Sequence, residues 1–459
     1  MIYPRMAMAA MMQSEARRRR RRKRNAAATH LVVTTLERVY GVRPTARGTS
    51  RKTRTKPTPM DWADRWSRLS EADWRQRYRM GKQTFTQLVD AVRPHLRPTR
   101  DLTPEVIISA TLRWCAGASY WDVLDMHGMA GTGTLHLRIW EVLEIIDEVF
   151  TFPLLEAIIA LERPETNSAG LQALQEMADT FERKTSGVLK GCVGAIDGIA
   201  IKITKPKDAV KHWCRKGFYS LNVQAICDQE HRITWLSTVA CGSTHDVQAL
   251  QCSWLGEHIF SKPERAFNNS GFCVFGDAAY RGIANRCRSL ITPYDDAEVT
   301  VMEDSFNYYH SSSRMSVEGT FGEFSQRWGV LWRPLRVAED HATLLLSALA
   351  KVHNLCVDGG HRAPTRCVGQ HRGDVDRPVE KYVCIAPDGS RRLATAYPDY
   401  NVAERYYDGA GNRLLGRYRP SNGQRLQPIR EEMNEALAEA GMSRPSTSQF
   451  SYRNRNGTW

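Results

Sequence analysis

Two kinds of hydrophobic spacing divide the chain near residue 186. Before this point apolar and aromatic residues recur at helical spacing, and after it they alternate or form short apolar runs typical of β-strands. The first part predicts helical segments over 61–92, 103–117 and, around a glycine-rich turn, 119–150. The last of these has the outline of a helix-turn-helix, and an ordinary helical hairpin is an equal alternative.

The second part predicts a sheet with helices around it. Its apolar runs predict four strands, over 191–204, 217–228, 232–242 and 271–277. The helical pattern returns in four further segments, 244–256, 312–331, 339–356 and 430–441. The order is therefore three strands, a helix, a strand and then helices, which predicts an α/β fold.

Changes in composition divide the chain into four parts. Residues 1–60 are rich in Arg, Thr and Pro, which predicts a disordered basic tail. Residues 61–185 form the helical, helix-turn-helix-like domain, and 186–358 form the α/β domain. Residues 359–459 are polar and have little periodicity outside one late helix, so we expect an extension that is largely mobile.

The positive charge of the chain is concentrated in its first part. Residues 1–60 carry 16 Lys and Arg against two acidic residues, which accounts for the whole formal net charge of +14. The run RRRRRRKR at 17–24 is typical of a nuclear-import signal or a nucleic-acid contact. The alternative is a solvated tail that carries no targeting signal.

Other features of composition exclude two classes of protein. No run of 18 or more uncharged apolar residues occurs, so we predict no membrane span. The 11 cysteines include no C-x-x-C pair, which argues against a zinc ribbon or finger. Most of them lie in apolar contexts and are expected to be buried thiols in a reducing compartment.

Asp197 lies in the middle of the first apolar run, GCVGAIDGIAIKIT. Asp-Gly is a strong signal for a tight β-hairpin, but Gly191 and Gly194 would weaken one arm of it. In a single strand, Asp197 would share a face with five apolar residues, where a carboxylate is costly unless it binds a metal or a cation. The local sequence leaves both interpretations open.

Two further acidic residues are candidates for the same chemistry. Asp277 follows an apolar strand, where α/β sheets present ligand sites, although Asp there is also a favoured helix cap. Glu318 lies on a helix beside the small residues Gly322 and Ser325, although a solvent-facing role is the common one for helical Glu. Three converging carboxylates could hold two Mg²⁺ ions for phosphodiester chemistry.

Six stretches of the α/β part, taken together, resemble the nuclease of PIF/Harbinger-type DDE transposases and their domesticated relatives. They are GAIDGIAIKI, FYSLNVQAICD, GSTHDVQAL, FGDAAYRG, SVEGTFGEFSQRWGVL and KVHNLC. They cover roughly 190–356, and WRQRYRMGKQTFTQLV extends the likeness upstream to about residue 60. This family implies an RNase H-like mixed sheet with flanking helices, preceded by the helical domain.

The resemblance also implies an activity and its partners. The catalytic and metal-binding roles of the family fall on Asp197, Asp277 and Glu318, with Mg²⁺ or Mn²⁺, two ions in all, as cofactor. The expected protein is a nuclear endonuclease or transposase that acts on DNA. Its expected partners are a Myb-like DNA-binding protein and further copies of the same chain in a homo-oligomer. The alternative is an inactive DNA-binding or complex-assembly protein that retains the fold.

Several secondary positions have simpler interpretations. Asp246 is expected to cap the helix over 244–256, with His245 as a residue that could approach phosphate. Asp228 is expected to be a turn residue, and His353 and Asn354 to pack or to form hydrogen bonds. Cations and aromatic residues are mixed in KHWCRKGFY at 211–219, which suits contact with a DNA backbone, and a solvated loop is the alternative.

Overall fold

The computed structural model describes residues 60–97, 99, 102–129, 131–185, 187–294, 300–361, 383–385, 391–393 and 427–444. All of these residues lie in one compact unit, Pro57–Trp459. The predicted basic tail and most of the predicted extension over 359–459 therefore lie outside the described residues. The predicted domain boundary between residues 185 and 186 stays a prediction.

The part of the chain before the sheet is helical, as predicted. Its α-helices are α1 (Trp62–Arg68), α2 (Glu71–Tyr78), α3 (Lys82–Val92), α4 (Pro104–Cys115), α5 (Tyr120–His127), α6 (Thr132–Val149), α7 (Pro153–Leu161) and α8 (Asn167–Glu182). The helical segment over 61–92 is three helices, because two residues interrupt it. Ser70 caps α2 by accepting from the amide of Asp73, and Arg79 ends α2 in the left-handed region at φ 66°.

The pair α5 and α6 corresponds to the helix-turn-helix outline. Of its basic residues, Arg138 is ion-paired with Glu141. His127 is fully buried, donates from Nδ1 to the carbonyl of Val123 and contacts the hydroxyl of Ser109 through Nε2. These side chains serve internal contacts, which favours the helical hairpin, and a DNA-reading role for this pair stays a prediction.

A five-stranded mixed sheet follows the helices, in the order β3-β2-β1-β4-β5. Its strands are β1 (Cys192–Lys202), β2 (Ser220–Cys227), β3 (Ile233–Cys241), β4 (Cys273–Phe275) and β5 (Leu290–Ile291). The first three pair antiparallel, whereas β4 pairs parallel with both β1 and β5. The first four strands were predicted, and the two-residue β5 was not. The hairpin interpretation of Asp197 is wrong, because β1 runs through it without a turn.

Further helices lie among and after the strands. They are α9 (Ala209–His212), α10 (Asp246–Gln251), α11 (Arg281–Ala284), α12 (Val301–Arg327), α13 (Glu339–Asp358) and α14 (Pro428–Glu439), with a two-stranded hairpin, β6 (Val383–Ile385) and β7 (Arg391–Leu393), before α14. Shorter helical turns lie at Arg93–His95, Arg183–Thr185, Gly256–Phe260, Ala266–Asn269, Ala278–Tyr280 and Gly329–Trp332. Helix α12 begins earlier than predicted because Thr300 and Glu303 form a capping box there.

Two clusters of buried hydrophobic side chains hold the helices and the sheet together. A single cluster of buried side chains extends from Trp74 in α2 through β1 and α12 to Leu437 in α14, and a second cluster fills the other face of the sheet around Ile196 and Trp235. The apolar residues Val317 and Phe324, seven positions apart on one face of α12, are buried, as is Trp328 directly after the helix. No helix in the described part of the chain has the length and apolar character to span a bilayer.

Residues 427–444 cover the outer edge of the sheet. The side-chain amide of Gln427 donates to the carbonyl of Leu290 at 3.4 Å and accepts from the amide of Thr292 at 3.5 Å. The Arg430 guanidinium lies 4.0 Å from the ring centroid of Tyr294. Backbone groups at this short edge strand, which would otherwise lack hydrogen-bond partners, thus receive them from a segment much later in the chain.

A buried arginine ties the helical part to the α/β part. Arg327, at the end of α12, is fully buried, and its guanidinium donates to the carbonyls of Arg79 at 2.9 Å and of His361 at 2.6 Å. Its Nε donates to Nδ1 of His353 at 3.2 Å, and the other ring nitrogen of His353 donates to the carbonyl of His231. Burial and the Arg327 charge lower the pKa of His353 to about 3, so the ring stays neutral and accepts this bond.

We expect Arg327→Met to lower the free energy of unfolding by about 3 kcal/mol or more, because the carbonyls of Arg79 and His361 and the ring of His353 lose a charged donor inside the protein. The matched control is Arg333→Met at an exposed position, which should change stability by less than about 0.5 kcal/mol. Urea unfolding followed by circular dichroism measures both. Equal stability of the two variants would contradict a structural role for Arg327.

Candidate active site

Asp197 is held in the middle of the central strand. It pairs with Ala225 of β2 in the antiparallel register, and its side chain is 24% exposed. Its Oδ1 accepts from the amide of Gly198 at 2.7 Å, and its Oδ2 lies 3.6 Å from a guanidinium nitrogen of Arg314 on α12. The carboxylate therefore lies between the sheet and the long helix.

The surroundings of Asp197 disfavour its charge. Burial is the main cause, and the negative charges of Asp277 and Asp246 add to it, so that the pKa of Asp197 is raised from 3.8 to about 6. The guanidinium of Arg314 and the amide of Gly198 act in the opposite direction and only partly offset these effects. A site with this imbalance attracts a cation.

Asp277 lies beside Asp197 because it comes just after β4, which runs parallel to β1. Ala195 of β1 pairs with Phe275 of β4, and each aspartate lies two residues beyond its paired position. The carboxylate of Asp277 also accepts from the amide of Ala279 at 2.9 Å and caps the short helix over 278–280. The cap interpretation is thus correct, and it does not exclude a second role for the same side chain.

Glu318 lies on α12, four residues after Arg314, and its side chain is exposed. Since residues four apart share one face of a helix, Glu318 is on the side of α12 that carries Arg314. The space beside Gly322, one turn further on, is open: a Cβ added there would meet no atom within 4 Å. Among the described residues, the α12 side chain that contacts Asp197 is Arg314.

The neighbouring residue Gly319 is explained by packing. The ring of His231 lies against it, so that an added Cβ would come within 3.0 Å of that ring. His231 in turn is paired with Glu323 through Nδ1 at 2.8 Å. The small residue after Glu318 therefore makes room for a histidine from the β2–β3 loop.

Asp246 is a member of the site that sequence reasoning assigned to another role. Helix α10 begins at Asp246 with His245 as its N-cap residue, so the prediction that Asp246 caps this helix is wrong. Its carboxylate instead accepts from the side-chain amides of Asn222 at 2.9 Å and Gln224 at 3.0 Å on β2. It lies close over Gly198, where an added Cβ would be 2.3 Å from Asp246 Oδ1.

A buried polar network extends from Asp246. The Tyr280 hydroxyl donates to Gln224 Oε1 at 2.5 Å, and the Gln224 amide nitrogen also donates to Asn222 Oδ1 at 2.8 Å. Burial, together with the charges of Asp197 and two other aspartates, raises the pKa of Tyr280 well above its usual value, so its hydroxyl remains a donor. The signal that could have identified Asp246 is Gly198, because a glycine inside a strand often marks close approach by another group.

The remaining secondary residues have structural roles. Asp228 is fully buried and accepts from the amides of Glu230 and Arg232 in the β2–β3 turn, as predicted. Asn354 forms two hydrogen bonds of 2.8 Å with the backbone of Ile233, which fastens α13 to β3. The predicted hydrogen-bonding role of Asn354 and His353 is therefore confirmed.

The donor set around Asp197 fits a hard divalent cation. Carboxylate oxygens are the ligands that Mg²⁺ and Mn²⁺ prefer, and the raised pKa of Asp197 indicates negative charge that lacks full compensation. Arg314 supplies a single positive charge at 3.6 Å. A separate cluster in the described part of the chain has three potential metal ligands whose donor atoms all lie within 4.8 Å of one another. It consists of His212, Cys241 and Glu339, and it is the one such cluster of His, Cys, Asp or Glu among the described residues.

Comparison with known families gives one result. Residues 196–354 match the family model described as DDE superfamily endonuclease. The matched segment begins beside Asp197, includes Asp277 and Glu318, and ends at Asn354. The mixed sheet and its helices are consistent with such a nuclease fold, and the match indicates a transposase-like nuclease for this segment. Searches of curated proteins and of solved structures find no match.

The raised pKa of Asp197 predicts an effect on stability. Between pH 4 and 6 the folded protein keeps a proton that the unfolded chain has lost, so this group makes folding less favourable as the pH rises through that window. Asp197→Asn removes the effect and should stabilise the metal-free protein above pH 6 by up to about 3 kcal/mol. At pH 4 the gain should disappear.

Urea unfolding in EDTA at pH 4 and pH 7.5 measures this difference. Asp90→Asn, at an exposed position of α3, is the matched control and should have no such dependence on pH. A variant at position 197 that is destabilised equally at both pH values would refute the electrostatic interpretation.

Proposed function

We propose that this chain is a metal-dependent DDE endonuclease of the PIF/Harbinger kind, either a transposase or a host protein descended from one. It cuts phosphodiester bonds at transposon ends and then joins the 3′-hydroxyl to target DNA. The observation that carries the proposal is that Asp197 on β1 and Asp277 just after the parallel strand β4 lie beside each other, next to the helix that carries Glu318. The family match over 196–354 supports the same activity.

Asp197, Asp277 and Glu318 are the residues that would hold the metal ions. Two Mg²⁺ or Mn²⁺ ions supply activation of a water or 3′-hydroxyl and neutralise charge at the leaving oxygen. Burial and the neighbouring aspartates raise the pKa of Asp197 to about 6, and a cation bound beside the carboxylate would lower it again. The bond from Ala279 fixes the orientation of the Asp277 carboxylate.

The segment over 202–219 offers a surface for the DNA backbone. Lys202, Lys211 and Lys216 are exposed there, and the Lys202 ammonium lies 4.7 Å from the ring centroid of Phe218. Trp213 is 50% exposed. Exposed cations beside aromatic rings suit phosphates and unpaired bases, so this segment supports contact with DNA near cleaved ends.

The other parts of the proposal concern location and assembly. The basic run over 17–24 is proposed to direct the protein to the nucleus and to add contacts with DNA phosphates. A Myb-like DNA-binding protein, as in the PIF/Harbinger family, is proposed to supply sequence recognition. A homo-oligomer would bring two transposon ends together.

A second candidate function is an inactive DNA-binding or complex-assembly protein that keeps the fold. The observation that favours it is the contact between Arg314 and Asp197, in which a guanidinium occupies the side of the carboxylate that faces α12. The two candidates differ in whether cations displace this contact. Cleavage assays separate them.

We expect Asp277→Asn to reduce nicking of DNA in Mg²⁺ by at least about 100-fold, because a neutral amide binds a hard cation more weakly than a carboxylate does. Asn can still accept from the amide of Ala279, so the helix cap and the melting temperature should persist. The measurement is strand cleavage on candidate element ends, with thermal melting as the folding control.

The matched control is Asp90→Asn, far along the chain on an exposed helix position, which should cleave like the wild type. Glu318→Gln should lose cleavage in the same way as Asp277→Asn. Wild-type cleavage by Asp277→Asn would remove this residue from the catalytic set, whereas retention of DNA by a wild type that never cleaves would favour the second candidate.

Deletion of residues 1–24 should weaken non-specific binding to duplex DNA and reduce nuclear accumulation. Each phosphate contact that is lost should lower the slope of log K against log salt by about 0.9. Fluorescence anisotropy at several salt concentrations measures the slope, and a variant with Arg17–Arg24 changed to Gln and Ser keeps the length as a control. An unchanged slope with unchanged localisation would make the run an inert tail.

A further inference from the structure

We propose that His212, Cys241 and Glu339 form a binding site for a zinc-like transition-metal ion, separate from the carboxylate site. Their ligand atoms, one from each side chain, all lie within 4.8 Å of one another. The three residues come from three segments: His212 ends α9, Cys241 ends β3 and Glu339 begins α13. The inference does not depend on the proposed nuclease activity.

The imidazole of His212 is prepared to act as a ligand. Its side chain is 4% exposed, and its Nδ1 lies 3.1 Å from the carbonyl of Asp208. A carbonyl can only accept, so Nδ1 carries the proton and Nε2 of the neutral ring presents a lone pair. This Nε2 is buried and has no hydrogen-bond partner among the described residues. A bond from the second ring nitrogen to a carbonyl is the usual support of a metal-bound histidine.

The distances fit zinc coordination. His212 Nε2 and Glu339 Oε1 are 3.6 Å apart, too far for a hydrogen bond. Ligand atoms at about 2.0–2.3 Å from a tetrahedral zinc ion are about 3.3–3.7 Å from one another. An ion at the centre would therefore satisfy the buried nitrogen without a large movement of either side chain.

The chemistry of the three donors selects the kind of metal. A thiolate and an imidazole are ligands for Zn²⁺ and similar ions, whereas Mg²⁺ requires oxygen donors. The thiolate of Cys241 and the carboxylate of Glu339 together balance the charge of one divalent ion. The neutral thiol is favoured without metal, because burial and the charge of Glu339 raise the pKa of Cys241.

The backbone holds two of the ligands in place. The carbonyl of Lys211 accepts from the amide of Ser243 at 3.1 Å and from its hydroxyl at 2.7 Å. Gly242 has no room for a side chain, since an added Cβ would be 2.6 Å from the carbonyl of His212. His212 and Cys241 are thus adjacent whether or not a metal is bound, and such preorganisation favours binding.

The third ligand is brought by the segment before α13. The amide of Leu335 donates to the carbonyl of Lys202 at 2.9 Å, and the amide of Thr204 donates to the carbonyl of Leu335 at 3.0 Å. These bonds hold the chain segment that leads to Glu339 against the end of β1. A metal ion would then fasten three segments at the base of the basic segment over 202–219, with the fourth coordination position filled by water.

The test uses the full chain without a histidine tag, stripped with EDTA and titrated with Zn²⁺ in excess Mg²⁺. We expect one zinc ion per chain and a higher melting temperature with zinc. Cys241→Ala and Glu339→Gln should each weaken zinc binding by at least about tenfold. Glu339 is exposed, so its substitution should leave the fold intact even where a change at the buried His212 does not.

Two variants serve as matched controls. Cys252→Ala removes an exposed thiol elsewhere and should keep full zinc affinity. Asp277→Asn should lose cleavage and keep zinc, which separates a failure of this inference from a failure of the proposed function. With Co²⁺ as the probe, a thiolate-to-metal charge-transfer band should appear in the wild type and in Cys252→Ala.

The same band should be absent from Cys241→Ser. Zinc affinity that is unchanged in Cys241→Ala and Glu339→Gln would overturn the proposal. Equal loss in Cys252→Ala would also overturn it, as would a full chain that binds no zinc when excess Mg²⁺ is present.

Discussion

A carboxylate buried in the central strand is the constraint on which the rest of the site depends. Burial and the charges of Asp277 and Asp246 work against the ionised form of Asp197. Arg314 approaches it from α12, and Gly198 offers its amide on the strand itself. Ionised Asp197 therefore costs the protein folding free energy, which is typical of residues in binding and catalytic sites.

Much of the architecture follows from local pattern. Runs of apolar residues predict the first four strands. The alternation of apolar residues on both sides of Asp197 is compatible with a single strand, whereas the glycines before it argue against a hairpin arm. The helical spacing of Val317 and Phe324 indicates which side of α12 is buried. Order along the chain and the family resemblance together suggest Asp197, Asp277 and Glu318 as one group, and the parallel register brings the first two to neighbouring positions.

Other features depend on contacts between distant residues and leave little trace in local sequence. The partners of Asp246 on β2 are 22 and 24 residues away, so its orientation cannot be inferred from a capping pattern. Strand β5 has two residues and lies beside a segment that is much later in the chain. The cluster of His212, Cys241 and Glu339 joins three segments without any regular spacing, which is why a search for paired cysteines does not find it.

The contacts of Gln427 with the edge of the sheet have a consequence for biosynthesis. Thr292 and its partner Gln427 are 135 residues apart, so β5 leaves the ribosome well before the side chain that covers it. At ordinary rates of translation this interval is roughly 7–27 s. During that time the nascent chain presents an uncovered strand edge, the kind of surface on which neighbouring chains associate.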